Sequence, residues 1–227
     1  MLDRHETVAR IVLDHSECAA VFQKHRIDFC CKGQLSLEQA CTGRGVDPAL
    51  VLADLESAIE SRQGRPDDDP RELGTPALIG HIMSRHHEYL RRVLPFVRPL
   101  AQKVSRVHGD HNPKLRTVES TVEQLVEALV PHLDREEQVL FPALMMRNSD
   151  GSVVAQELAS MHEEHLEVGA MLDRLRTATE EFRTPDWACN SYRTLFSELE
   201  ALEADILRHV HLENHVLMPR FAPTRAS

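Results

Sequence analysis

From residue 76 to residue 220, apolar side chains recur in alternating steps of four and three, the spacing of helices that each bury one stripe. Polar breaks at 108–113 (HGDHNP), 148–152 (NSDGS) and 183–187 (RTPDW) separate four such runs. The pattern predicts helices over about 76–106, 114–147, 152–181 and 188–220. Strict alternation is absent and aromatic residues make up only 4% of the chain, so strand signals are few. The expected fold is all-α, an up-down four-helix bundle. Pro95 and Pro99 predict a bend or break in the first helix, and Pro131 a kink in the second.

The stripes carry the chemistry. The first runs Met83, His87, Leu90, Leu94, Val97, and the second Val118, Val122, Leu125, Leu129, His132, Glu136, Val139. The third runs Val154, Leu158, Met161, His165, Val168, Leu172, Leu175, and the fourth Leu195, Leu199, Leu202, Ile206, His209, Glu213, Val216. Every polar member is a His or a Glu. A lone His on such a stripe is usually a core histidine, but a buried carboxylate without a counter-charge is very costly. With a rise of about 1.5 Å per residue, all six fall within roughly 15 Å along the bundle axis. Four His and two Glu in one slab point to a binuclear metal site.

A long-range echo supports the same reading. HLDREEQVLFP at 132–142 and HVHLENHVLMP at 209–219 share His-x-x-x-Glu and a later proline, 77 residues apart, and His87 and His165 lie 78 apart. Imidazole with carboxylate suits iron, zinc or manganese. No stripe carries a Cys, which argues against structural zinc, and the Glu-x-x-His of ferritin-like sites is missing. Iron is the first choice, with both Glu placed to bridge two ions. His81, His86, His162, His211 and His215 lie off the stripes, the last two flanking the site or facing solvent. Glu137 and Glu164 are placed either to accept from ligand imidazoles or to lie on a solvated face.

Upstream, RQGRPDDDPRELGTP (62–76) reads as a linker between a small helical domain (1–61) and the bundle (77–221). The small domain reads as three helices. Ser36 with Gln39 forms a capping box, and Asp47–Pro48 opens the last helix. Between the first two lies DFCCKGQ. Cys30 and Cys31 read either as thiols for redox, iron transfer or nitrosylation on an exposed turn, with Lys32 lowering a thiol pKa, or as two small residues packing a helix end.

The formal charge of −10 and the lack of a Lys/Arg run argue against nucleic-acid binding. No stretch reads as a signal peptide or membrane span. Five irregularly spaced Cys argue against a disulfide scaffold and for a reducing cytoplasm.

Together these features resemble the repair-of-iron-centres family, haemerythrin-like di-iron proteins that protect or restore iron–sulfur clusters under oxidative and nitrosative stress. The likeness spans nearly the whole chain. It rests on the Asp28–Cys31 segment, Arg85-x-His87, both His-x-x-x-Glu segments with their prolines, and His162–His165. Met218 stands where Phe is commoner, and His162 where an acidic residue is frequent. The resemblance implies iron ligands at His87, His132, Glu136, His165, His209 and Glu213, holding two iron ions with oxo and carboxylate bridges. It implies iron–sulfur proteins with damaged clusters as partners, and nitric oxide or oxygen as candidate ligands. Assembly is left open, a homodimer included. Oxygen-carrying haemerythrins match less well: they have a second His one turn after the third-helix ligand, where this chain has Gly169, and a His-x-x-x-x-Asp on the fourth helix. Two other functions compete with repair: a di-iron oxidoreductase acting on nitric oxide or peroxide, and an oxygen or nitric oxide sensor.

Overall fold

The computed structural model describes residues 2–61, 69–146 and 151–221. Among them the chain is helical, with no β-strand beyond an isolated bridge between Thr7 and Ser36. It divides into two compact units, Met1–Gly74 with Leu207–Ser227, and Thr75–Ile206.

The first unit contains α1 (Val8–Asp14), α2 (Cys18–Lys24), α3 (Leu37–Arg44) and α4 (Pro48–Ser61). Each start has a local cause. The Thr7 hydroxyl accepts from Arg10 N at 3.3 Å. Ser36 and Gln39 form the reciprocal capping box, and Asp47 accepts from Ala49 N at 2.9 Å. Gly45, with φ +69°, closes α3 in the left-handed conformation that glycine adopts without strain. Where the sequence pattern predicts one helix, α1 and α2 are separate. The chain leaves helical geometry at His15, just after Asp14, whose carboxylate is held by Arg10 and Arg71 at 2.7 Å each.

Ile11, Phe22, Leu37, Val51 and Leu55 are fully buried. Each contributes on the order of 1.5–3 kcal/mol through removal from water. Residues 62–68 of the expected linker lie outside the described residues. Residues 69–74 are tied down: Asp69 caps a 3₁₀ turn, Pro70–Glu72, and Arg220 donates to Leu73 O at 2.8 Å.

The second unit contains α5 (Thr75–Ile82), α6 (Glu88–His108), α7 (Lys114–Arg135), α8 (Phe141–Met145), α9 (Gly151–Ala178) and the first part of α10 (Asn190–Leu212). It is the up-down bundle, with α7 packed against both α6 and α9. Leu90, Leu94, Val97, Val118, Val122, Leu125, Met161, Leu172, Leu175, Leu195, Leu199 and Leu202 line the interior. Neither Pro95 nor Pro99 interrupts α6, and Pro131 lies within a continuous α7. All three are exposed, so water takes the place of the helix hydrogen bonds they remove.

The irregularities lie elsewhere, in three π turns at Met83–His87, Glu136–Leu140 and Glu213–Leu217. Each is closed by a bond spanning five residues: Glu88 N to Met83 O, Phe141 N to Glu136 O, and Met218 N to Glu213 O. The extra residue shifts the stripe. Val139, expected inside, is 47% exposed while Leu140 is buried, and Met83 is 36% exposed while Ile82 is buried. Pro142 and Pro219 crowd the carbonyls of Gln138 and His215 within two of these turns, which favours the wider ladder. No sequence feature accounts for the first.

Candidate metal centre

The bundle places polar side chains in an otherwise apolar interior. His87, His165, His209 and Glu213 are each 1% exposed, His132 is 5% exposed, and Glu136 is fully buried. Three of the six stand on π turns, His87 closing one and Glu136 and Glu213 each opening one. Such turns recur at functional positions because they re-aim side chains without breaking the helix.

Glu136 Oε2 lies 3.4 Å from Nε2 of both His87 and His132. The rings of His132 and His165 meet edge-on at 5.1 Å. His209 Nε2 and Glu213 Oε1 are 2.9 Å apart. The structure gathers one ligand-type atom from each of His87, Glu136, His209 and Glu213 within 4.8 Å of one another, and does the same for His132, Glu136, His165 and Glu213. Both carboxylates belong to both groups. The donor set fits a pair of cations. The carboxylate charges are buried among imidazoles, and borderline ions of the iron, zinc and manganese type take this mixture of ligands.

The imidazoles are oriented from behind. His87 donates from Nδ1 to Glu137 Oε1 at 2.9 Å, and Arg91 holds the other oxygen of that carboxylate at 3.1 Å. His132 donates from Nδ1 to Glu164 Oε2 at 2.8 Å, and Arg135 holds Oε1 at 2.7 Å. Each contact fixes the tautomer that leaves Nε2 facing inward. Burial raises the Glu164 carboxyl, but its hydrogen bond from His132 and the His132 and Arg135 charges outweigh this and hold it below the usual carboxylate range. Glu164→Ala is therefore expected to weaken metal affinity by about 10- to 100-fold without emptying the site. Competition with a chelator measures this, and unchanged affinity would reduce the contact to a surface bond.

The off-stripe histidines have other roles. The His86 ring is also buried, but its Nδ1 pairs with Asp205 Oδ1 at 2.9 Å, and neither ligand group includes it. His211 and His215 were expected to flank the site or face solvent; both instead bind the Cys loop. His211 Nδ1 donates to Phe29 O at 3.2 Å, and His215 Nε2 to Cys30 O at 2.7 Å. Burial, and then the neighbouring His215, push the His211 pKa down to about 3, so its ring is neutral.

The loop itself departs from expectation. Cys30 and Cys31 are 2% and 5% exposed, so the turn is buried. The hydrogen bond to Cys31, burial and the Asp28 charge push the Cys30 thiol well above its ordinary range, overturning the lowered pKa expected from Lys32. Sequence reasoning also missed Gly33. A Cβ there would fall 2.5 Å from both Phe29 O and His215 Nε2, so only glycine lets the loop close.

A helical bundle whose interior carries two overlapping His/Glu groups defines a haemerythrin-type cation-binding protein. Residues 78–221 match the model described as Hemerythrin HHE cation binding domain, and residues 4–59 match ScdA_N, a domain of unknown function. The "Iron-sulfur cluster repair protein ScdA" of Staphylococcus haemolyticus is 31% identical over 98% of this chain and 100% of that protein. The "Iron-sulfur cluster repair protein YtfE" of Yersinia pseudotuberculosis serotype O:1b is 32% identical over 96% of each chain, and that of Yersinia pestis strain Pestoides F is 31% identical over the same shares. The chain belongs to the haemerythrin-like family that these relatives represent. No helix among the described residues is long and apolar enough to cross a membrane.

Proposed function

We propose that this protein is a non-haem di-iron protein that repairs, or supplies iron to, iron–sulfur clusters damaged by oxidative or nitrosative stress. The observation that carries the reading is the sharing of Glu136 and Glu213 between the two four-residue groups. His87 and His209 would hold one ion, His132 and His165 the other, and the two carboxylates would bridge them. A pair of iron ions there would supply redox chemistry and exchangeable coordination positions.

The residues of the chain do the rest. Glu137 and Glu164 hold the His87 and His132 rings in place. Leu90, Leu129, Met161 and Ile206, each about one turn from a site histidine, are buried and exclude water. Two imidazoles and two shared carboxylates per ion is a sparse set, which suits release of iron to an acceptor. The relatives are named for the repair of iron–sulfur clusters, which supports reading such clusters as the target here.

The test uses full-length protein purified without air and an iron–sulfur enzyme inactivated by peroxide. Recovery of the enzyme's activity with matching loss of iron from this protein is expected. Sustained consumption of nitric oxide or peroxide with a reductase, without iron transfer, would replace repair by catalysis.

A further inference from the structure

The small unit holds a cluster of ligand-type side chains that the His/Glu centre does not use. Cys30 Sγ lies 3.6 Å from Cys31 Sγ and 3.3 Å from Asp28 Oδ1. The three side chains present one sulfur, sulfur and oxygen atom each within 4.8 Å of one another. We propose that Asp28, Cys30 and Cys31 form a second metal site, which takes one divalent ion of the iron or zinc class through two thiolates and a carboxylate.

The spacing is that of a ligand set. A tetrahedral ion bonded to sulfur at about 2.3 Å and to oxygen at about 2.0 Å holds its sulfurs about 3.8 Å apart and sulfur from oxygen about 3.5 Å apart. The two observed separations lie close to these edges, so an ion enters with little movement of the loop. Its charge favours both thiolates, whose protons pass to water as it binds.

The loop is also built to stay in place. Asp28 Oδ1 accepts from the backbone N–H of Cys30 and Cys31 at 3.2 and 2.8 Å. Asn214 Nδ2 and His215 Nε2 both donate to Cys30 O, at 3.0 and 2.7 Å. His211 holds Phe29 O, and Gly33 leaves no room for a side chain behind the turn. Two vicinal thiols in a turn pinned at both carbonyls are preorganised for a shared ligand. Three protein ligands leave a fourth position open, the mark of an exchangeable site rather than a closed structural one. Asp28 is partly exposed and gives the ion its way in. The assignment does not depend on the repair reading.

The test titrates reduced, full-length protein with cobalt(II) in the absence of air. The His/Glu groups contain no sulfur, so a thiolate-to-cobalt charge-transfer band reports the Cys site alone. The band is expected in the native sequence and in Cys189→Ser, and absent from the Cys30→Ser/Cys31→Ser double variant. Asp28→Asn keeps an oxygen that accepts both N–H groups, so the turn persists, but cobalt affinity is expected to fall about 10- to 100-fold. No thiolate band in the native protein, or a band retained in the double variant, would overturn the site. Unchanged affinity in Asp28→Asn would overturn the three-ligand assignment. If circular dichroism shows the double variant unfolded, Asp28→Asn decides alone.

Discussion

Glu136→Ala is expected to empty the bundle of iron, with binding of both ions weakened by well over the ~10- to 100-fold that follows loss of an outer hydrogen-bond partner. Glu136 is fully buried, its Oε2 lies 3.4 Å from two imidazoles, and it belongs to both four-residue groups. On the di-iron proposal, removing it would cost each ion a ligand and one of the negative charges that offset theirs. His86→Ala is the matched control. That ring is buried on the next residue to His87, but it pairs with Asp205 and stands in neither group. Metal analysis of both variants from iron-replete cells checks the contrast. Equal retention of iron would reject the bridging assignment, and one zinc with no iron in the unaltered protein would reject the di-iron reading.

The second large effect is on stability. Arg176 of α9 is 8% exposed and donates from Nε to Glu203 Oε1 at 2.8 Å and from Nη1 to Glu181 Oε2 at 2.6 Å. Its Nη2 also meets Glu203 Oε2, and its guanidinium lies over the Phe182 ring at 5.1 Å. Arg176→Ala leaves the buried Glu203 carboxylate without this counter-charge, at a cost of about 3–5 kcal/mol. It also releases Glu181 and Phe182. With Glu180 they form three successive left-handed residues (φ 53°, 63° and 56°), a conformation costing roughly 1 kcal/mol or more per residue. For a chain of this size the melting temperature should drop by roughly 6–20 °C. Arg176→Met/Glu203→Leu should recover most of that loss, because an apolar pair fills the space without buried charge. A melting temperature unmoved by Arg176→Ala would show that the pair is solvated.

Much of the bundle was legible because burial writes a period into the sequence. The runs through Leu125 and Leu199 mark their helices without any tertiary information, and the His and Glu that interrupt those runs are the side chains the structure gathers. The capping box at Ser36 was legible because it is local. Three features were not legible, each because it depends on distant partners or on backbone register. The π turns place Leu140 inside and Val139 outside, yet both are apolar, so the pattern is silent on the choice. The Cys30 loop reads as polar and exposed, and it is buried by contacts with residues about 180 positions away. For Glu137 and Glu164 the sequence offered both an imidazole partner and a solvated face; the choice between them depends on how neighbouring helices align, which no single stripe records.

The wide turns also bear on anyone who would transplant this centre into a designed scaffold. An ideal α-helix that presents His132 and Glu136 to the interior next presents Val139; this chain presents Leu140. Grafting the six side chains onto straight, uniformly wound helices would therefore aim them correctly on one side of each graft and misphase the packing on the other. The motif to copy is three segments that each carry one residue more than the helix around them needs.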